Sequence, residues 1–211
     1  MNFFIPGKES FAVCYDSQED GGGTWFGQEY VQELQRYDRQ FDRCLEWCSG
    51  PGFIGFALLA YEICNDLTLV DRHAPCAGSV ADTVLSNQCA DRAQFFNLDR
   101  IASLPASETF DLVIANPPHY LTCPGDHNYQ RIAVDQHWQA HEEFYANIGA
   151  HLNPGAVILM QENQAGSLAG PAEFMPMIER NGLLITAYWT SPRYFDRSGP
   201  TQIYYLEIRQ K

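Results

Sequence analysis

Asn116-Pro117-Pro118-His119-Tyr120 carries the residue types in this chain that are best suited to chemistry. The side-chain oxygen of Asn116 accepts a hydrogen bond, and so does the carbonyl of Pro117. Two fixed acceptors side by side suit a planar –NH₂ group. His119 and Tyr120 offer rings to stack on the plane that bears that nitrogen, and the imidazole can add a hydrogen bond or a proton relay. Rigid placement has to come from the neighbours. The preceding run, Phe110-Asp111-Leu112-Val113-Ile114-Ala115, is rich in aliphatic and β-branched residues, which predicts a strand buried on both faces. Two consecutive prolines then stop the ladder and fix the backbone. An asparagine at the carboxyl end of a central strand stands where open α/β sheets bind ligands. A plain strand followed by an Asn-Pro turn has the same local pattern, so the other elements decide the reading.

Glu46-Trp47-Cys48-Ser49-Gly50-Pro51-Gly52 is the second such stretch. It follows a predicted strand, Cys44 to Cys48, and opens an apolar helix, Phe53 to Cys64. Glycines there let a ligand approach the backbone, and a helix amino terminus offers N–H groups. Cys48 stands where the first glycine of G-x-G-x-x-G would be, and Pro51 removes an N–H. Phosphate cradling is therefore poor, and a nucleoside or an amino-acid carboxylate fits better. Asp71 ends the next predicted strand, Leu67 to Asp71, where a carboxylate can accept both hydroxyls of a ribose. Capping the following helix is its plain alternative role. Asp99 follows the third strand, Ala93 to Asn97, and either meets an adenine amine or caps a turn.

The rest of the chain continues the alternation. Helices are predicted at 27–39, 75–88, 135–152 and 171–180. Strands are predicted at 111–115, 156–161, 183–189 and 202–208, with Asn153-Pro154-Gly155 closing the helix before 156. Alternating strands and helices imply a parallel sheet covered on both faces, with the last two strands antiparallel at one edge. The expected fold is a Rossmann-like α/β sheet of seven mostly parallel strands in the order 3-2-1-4-5-7-6. Residues 1–40 form an amino-terminal arm and helix packed on a catalytic domain, 41–211. The arm from Phe3 to Tyr15 reads as a short hairpin or lid.

With 45% hydrophobic residues the chain can build a full core. Its apolar runs are strand-sized, too short to span a membrane, and the amino terminus lacks a signal-peptide pattern, so a cytoplasmic location is expected. A formal net charge of −13 opposes a phosphate-rich partner, and the 13 basic residues form no cluster. Seven cysteines, an odd number without a Cys-x-x-Cys pair, indicate reduced thiols rather than disulfides or a zinc ribbon. His137 and His141 have helical ligand spacing beside Glu142 and Glu143, but a third ligand is missing. A solvated helix face is expected there, and no metal site.

Taken together, these strand ends resemble the class I S-adenosylmethionine-dependent methyltransferases, and Asn-Pro-Pro-aromatic is similar to the signature of those that modify amino groups. Over residues 43–165 the order of parts looks closest to the HemK/PrmC (release-factor glutamine) N-methyltransferase family. Acidic-x-Gly-x-Gly-x-Gly falls on Glu46, Cys48, Gly50 and Gly52. The ribose acid falls on Asp71 and the adenine-side acid on Asp99. Asn-Pro-Pro-Tyr falls on Asn116, Pro117, Pro118 and His119. The family's Pro-Gly-Gly strand entry resembles Asn153-Pro154-Gly155, and its glutamate-ended fifth strand resembles Met160-Gln161-Glu162-Asn163. The resemblance implies S-adenosylmethionine as cofactor, bound by Glu46, Cys48, Gly50, Gly52, Asp71, Asp99 and Asn116, and catalysis by Asn116, Pro117, His119 and Tyr120. His119 replaces the usual tyrosine, so the stacking role falls to it or to Tyr120.

The expected function is methyl transfer to an amide or amino nitrogen of a small molecule, peptide or protein side chain. A nucleic-acid base-amine methyltransferase and a non-catalytic cofactor-binding subunit are the alternatives. The family's helical substrate-docking domain does not fit in the residues before the first strand. A small partner subunit or a homo-oligomer is compatible with that. Trp25, Phe26 and Tyr30 are placed to close over the site or to pack the core. Arg131, Arg193, Tyr194 and Arg197 either hold an acceptor carboxylate or are plain surface residues.

Overall fold

Runs of buried aliphatic residues set the strands, and the segments between them supply the covering helices. The computed structural model describes residues 1–25, 27–122, 127–191 and 203–211, with backbone alone at 127–129. Seven strands form one sheet in the order β5-β4-β3-β6-β7-β9-β8: β3 (Phe41–Trp47), β4 (Cys64–Asp71), β5 (Ala93–Asn97), β6 (Phe110–Ala115), β7 (Leu152–Asn163), β8 (Leu183–Thr190) and β9 (Ile203–Gln210). This is the 3-2-1-4-5-7-6 topology expected from the sequence. β3, β4 and β5 pair in parallel, whereas β9 is antiparallel to both β7 and β8. The chain divides into two compact units, Met1–Asp99 with Phe110–Leu112, and Arg100–Thr109 with Val113–Lys211.

In the first unit the amino-terminal arm is a hairpin, β1 (Asn2–Ile5) and β2 (Lys8–Cys14). It is fastened to α3 (Cys76–Ser86) rather than poised as a lid. Cys14 N–H donates to Thr83 Oγ1 at 2.8 Å, and Ala12 exchanges two bonds with the side chain of Asn87 just beyond the helix. The first helix, α1 (Glu29–Gln35), is shorter than 27–39. β3 starts earlier than expected, because the Phe41 N–H bonds the Ile63 carbonyl at 2.8 Å and its ring packs on Tyr37 and Arg39. α2 (Phe53–Ala60) is apolar around nearly its whole circumference and is correspondingly buried.

In the second unit the single helix expected over 135–152 is broken. α4 (His127–Ala133) precedes it, 3₁₀ turns cover Gln136–Trp138 and Ile148–His151, and only α5 (Gln139–Asn147) is α-helical. His137 (φ 57°) and Trp138 (φ 55°) are left-handed. Tertiary contacts explain the break: Trp138 Nε1 donates to Glu173 at 3.1 Å, and its ring meets Phe174 edge-on. Asn153-Pro154-Gly155 lies inside β7 rather than before it. Pro154 is tolerated because the register with β9 begins only at Ile158. α6 (Pro171–Arg180) opens with proline in its first turn.

Candidate active site

One candidate cluster is the turn between β3 and α2. Cys48 (φ 56°), Gly50 (φ 51°) and Gly52 (φ 88°) are all left-handed. These are the three positions that align with glycines in the acidic-x-Gly-x-Gly-x-Gly pattern. Cys48 accepts the conformation at a cost of about 1–2 kcal/mol, a price that glycine avoids. A Cβ at Gly52 would come within 2.8 Å of the Phe56 ring and 3.0 Å of Leu69. Asp71 is fixed against this turn, since its Oδ2 accepts from Gly50 N–H at 2.7 Å and its Oδ1 from His73 N–H at 2.7 Å. Each oxygen keeps a further lone pair for a hydroxyl donor. Asp71 caps no residue of α3, which starts at Cys76. At the end of β5, Leu98 N–H and Asn97 Nδ2 both bond the Asp71 carbonyl. Asp99 follows as an exposed residue, so the structure brings Glu46, Cys48, Gly50, Gly52 and Asp71 together but leaves Asp99 to solvent.

Glu46 lies beneath the turn, 2% exposed, with its Oε2 accepting from Gly55 N–H at 2.7 Å in the first turn of α2. Burial pushes its carboxyl up to about 8, against the bond from Gly55 and with added repulsion from Asp71. The folded state therefore binds a proton above the usual 4.5. This contribution to stability is full below that value and is lost as pH rises through about 8. Glu46→Gln keeps an acceptor for Gly55 and cannot ionise. Its melting temperature should exceed the parent's by a margin that grows with pH up to about 8 and is flat above. Circular-dichroism melts across that range check this; a pH-independent margin would mean that Glu46 is already ionised in the fold.

A second candidate cluster starts at Asn116, half-buried after β6, with Pro117 buried beside it. Asn116 Oδ1 lies 2.7 Å from His119 Nε2, and His119 Nδ1 lies 3.4 Å from Glu162 Oε2. The other oxygen of Glu162 lies 3.0 Å from His141 Nε2, and His141 Nδ1 lies 2.7 Å from Asp135 Oδ2. Asp135 also accepts from the backbone N–H groups of Ala140 and His141 at 3.0 and 3.1 Å, which explains why it precedes the helix rather than starting it. The result is a continuous string from amide to imidazole, carboxylate, imidazole and carboxylate. Burial opposes a charge on His141, but Glu162 and the bonds to both carboxylates outweigh it and push His141 up to about 9. The same interactions overcome burial to hold Glu162 and Asp135 below the usual carboxylate range.

Other contacts fix the loop. Tyr120 pairs its N–H with the Ala133 carbonyl and its carbonyl with Asp135 N–H, and its hydroxyl accepts from Asn163 Nδ2 at 3.0 Å. Gly166, in the turn after β7, is packed so closely that a Cβ there would overlap the His119 carbonyl. Phe174 stacks on His141 at 4.9 Å.

The expectation of a solvated face for His141 is thus corrected, since the residue is fully buried between two carboxylates. Tyr30 is core and Trp25 is 54% exposed. Phe26, Arg193, Tyr194 and Arg197 lie outside the described residues, as does Cys123; the described cysteines form no disulfide. Among the described residues one group has the donor set for a metal, Glu19, His73 and Cys76, with ligand atoms within 4.8 Å of one another. Glu19 Oε2 there already accepts from Ser79 Oγ at 2.6 Å and Asp16 N–H at 2.9 Å. No described helix is long and apolar enough to cross a membrane.

The sheet order and the left-handed turn facing an anchored acid define a class I S-adenosylmethionine-dependent methyltransferase fold. The sequence match agrees: residues 28–161 match the Methyltransferase small domain, and the chain belongs to that family. It is an enzyme of the methyltransferase class, and S-adenosylmethionine is the cofactor of that class. No curated protein matches the chain in sequence. Among solved structures it is similar to an S-adenosylmethionine-dependent methyltransferase from Clostridium acetobutylicum ATCC 824 (TM-score 0.63, 11% identity, covering 91% of this chain and 93% of that one). It is also similar to the N-methyltransferase NodS from Bradyrhizobium japonicum WM9 in complex with S-adenosyl-L-homocysteine (0.61, 13%, 99% and 98%). A third is a putative RNA methyltransferase, PH1948, from Pyrococcus horikoshii (0.59, 11%, 87% and 82%). At such identities the likeness is one of fold.

Proposed function

We propose that the chain is an N-methyltransferase of the HemK/PrmC kind, acting on an amide or amino nitrogen of a small molecule, peptide or protein side chain. The observation that carries this reading is Asn116 at the end of β6, its side-chain oxygen 2.7 Å from His119, with two prolines after it and Glu162 beside the imidazole. Asp71 would hold the ribose of the donor over the left-handed turn, with Gly50 and Gly52 giving clearance, Cys48 completing the turn and Glu46 supporting it from below. Asp99 would meet the adenine edge. When bound, S-adenosylmethionine supplies an electrophilic methyl group on a sulfonium, the C–S electron pair staying on sulfur. Asn116 Oδ1 and the Pro117 carbonyl would accept the acceptor's N–H groups, orient its lone pair and stabilise the positive charge that grows on nitrogen. Tyr120, tied through its hydroxyl, would wall the pocket beside His119.

A cytoplasmic setting and a partner subunit or self-association belong to the same proposal. The similarity to PH1948 favours a nucleic-acid acceptor as a second reading, but a net charge of −13 opposes it. Calorimetric titration of S-adenosylmethionine, followed by labelled-methyl transfer to metabolite, protein and RNA fractions of cell extract, tests both. Asp71→Ala should weaken donor binding at least tenfold, about 1.4 kcal/mol for a lost charged hydrogen bond. Unchanged donor affinity in that variant, or label confined to RNA, would defeat the proposal.

A further inference from the structure

We propose that the acceptor is a basic alkylamine, arriving as an ammonium ion, and that His119 takes its proton. The inference rests on the methyltransferase reading and narrows it. An amide or a nucleobase –NH₂ has no proton to lose before it attacks, so a site built for one needs only acceptors. An alkylammonium has no lone pair until a base removes a proton. Here the position that carries tyrosine in the Asn-Pro-Pro-Tyr pattern carries an imidazole, backed by a carboxylate as the histidine bases of hydrolases are.

The charges in the string point the same way. With His141 protonated between them, Asp135 and Glu162 leave the buried part of the string with one negative charge in excess. Glu162, 0% exposed, meets His141 through one oxygen and His119 through the other. An ammonium ion brought next to His119 offsets that excess charge. Asn116 Oδ1 and His119 Nε2, 2.7 Å apart, are both acceptors when Nδ1–H is directed at Glu162. In the Nε2–H tautomer the contact is a direct hydrogen bond to Asn116, and in the Nδ1–H tautomer both lone pairs are open to an ammonium ion that donates one N–H to each. The acidic chain as a whole also favours approach of a cation.

The step balances. The ammonium N–H bond breaks with its electron pair staying on nitrogen, and the proton bonds to Nε2, leaving His119 an imidazolium held by Glu162 and Asn116. The freed lone pair forms the new N–C bond to the methyl group, and the C–S pair remains on sulfur. The imidazole side chain, 15% exposed, then returns the proton to solvent.

The test uses the whole chain labelled with ¹⁵N-histidine, titrated with n-butylamine, acetamide or adenosine. n-Butylamine should shift the Nε2 resonance of His119, the response to an ammonium N–H donated there, and acetamide and adenosine should not. Glu162→Gln should remove the response. In parallel, labelled-methyl transfer is measured to a panel of alkylamines, carboxamides and nucleosides. His119→Tyr should cut kcat for alkylamines by about 100-fold or more with donor affinity unchanged. His119→Asn repeats the measurement should tyrosine not fit beside Glu162. Transfer to carboxamides or nucleosides with alkylamines inert overturns the assignment and leaves the methyltransferase reading standing. So does an undiminished rate in both His119 variants, or a bound donor with no alkylamine modified and no ring-nitrogen response. Failure of the donor to bind, read by calorimetry, overturns both.

Discussion

Asn116→Ala is expected to abolish turnover, a loss of at least about 100-fold in kcat, while S-adenosylmethionine binds within a few-fold of the parent. The split follows from where the residue stands. Its oxygen lies 2.7 Å from His119, whereas the turn proposed to hold the donor is built from Gly50, Gly52 and Asp71. Interactions that strengthen as charge develops on the acceptor nitrogen act on kcat, and those that hold the donor act on its affinity. Calorimetry and single-turnover kinetics on the same preparation separate the two. Equal losses of donor affinity and rate would move Asn116 from the acceptor to the donor.

His141→Ala should cost about 3–5 kcal/mol of stability, the penalty for removing one partner from a buried ionic arrangement. Two carboxylates would then share a dry space, with a cavity where Phe174 had stacked. For a domain of this size that corresponds to a fall of roughly 10 °C in melting temperature. The pH dependence carries a sign. His141 is raised to about 9, so its share is complete below the ordinary 6.5 and is lost as pH rises through about 9. Asp135 and Glu162 are depressed, so their share is present above their ordinary values and is lost as pH falls. The parent should therefore show its greatest advantage over the variant in the weakly acid range, in urea unfolding at a series of pH values. A small, pH-independent difference would show that the string is not ionised as its geometry implies.

Much of this architecture was legible because burial and alternation leave plain marks. β6 and the turn before α2 were readable from aliphatic runs and from glycines, and Asp71 from its place at a strand end. The string behind Asn116 was not, because its members are far apart in sequence and each looks ordinary alone. His141 reads as a polar helix residue, since nothing local announces that Trp138 and Phe174 will bury it. Asp135 reads as the start of a helix because the left-handed turn at His137 and Trp138 is accompanied by contacts of Trp138 to α6, which local preference does not announce. Pro154 reads as a break because pairing, not composition, decides where it is harmless along β7. Glu162 was visible only as the end of a strand, and its partners appear only once the strand is set beside α5.

The placement of β9 bears on how the protein comes to exist in a cell. Residues 203–210 lie between β7 and β8, both of which are made earlier. While the chain is still emerging from the ribosome, those two segments have no common neighbour and leave bare backbone edges open to other chains. Their maturation waits on the insertion of a late segment, so this half of the protein is where a nascent chain would most need a chaperone.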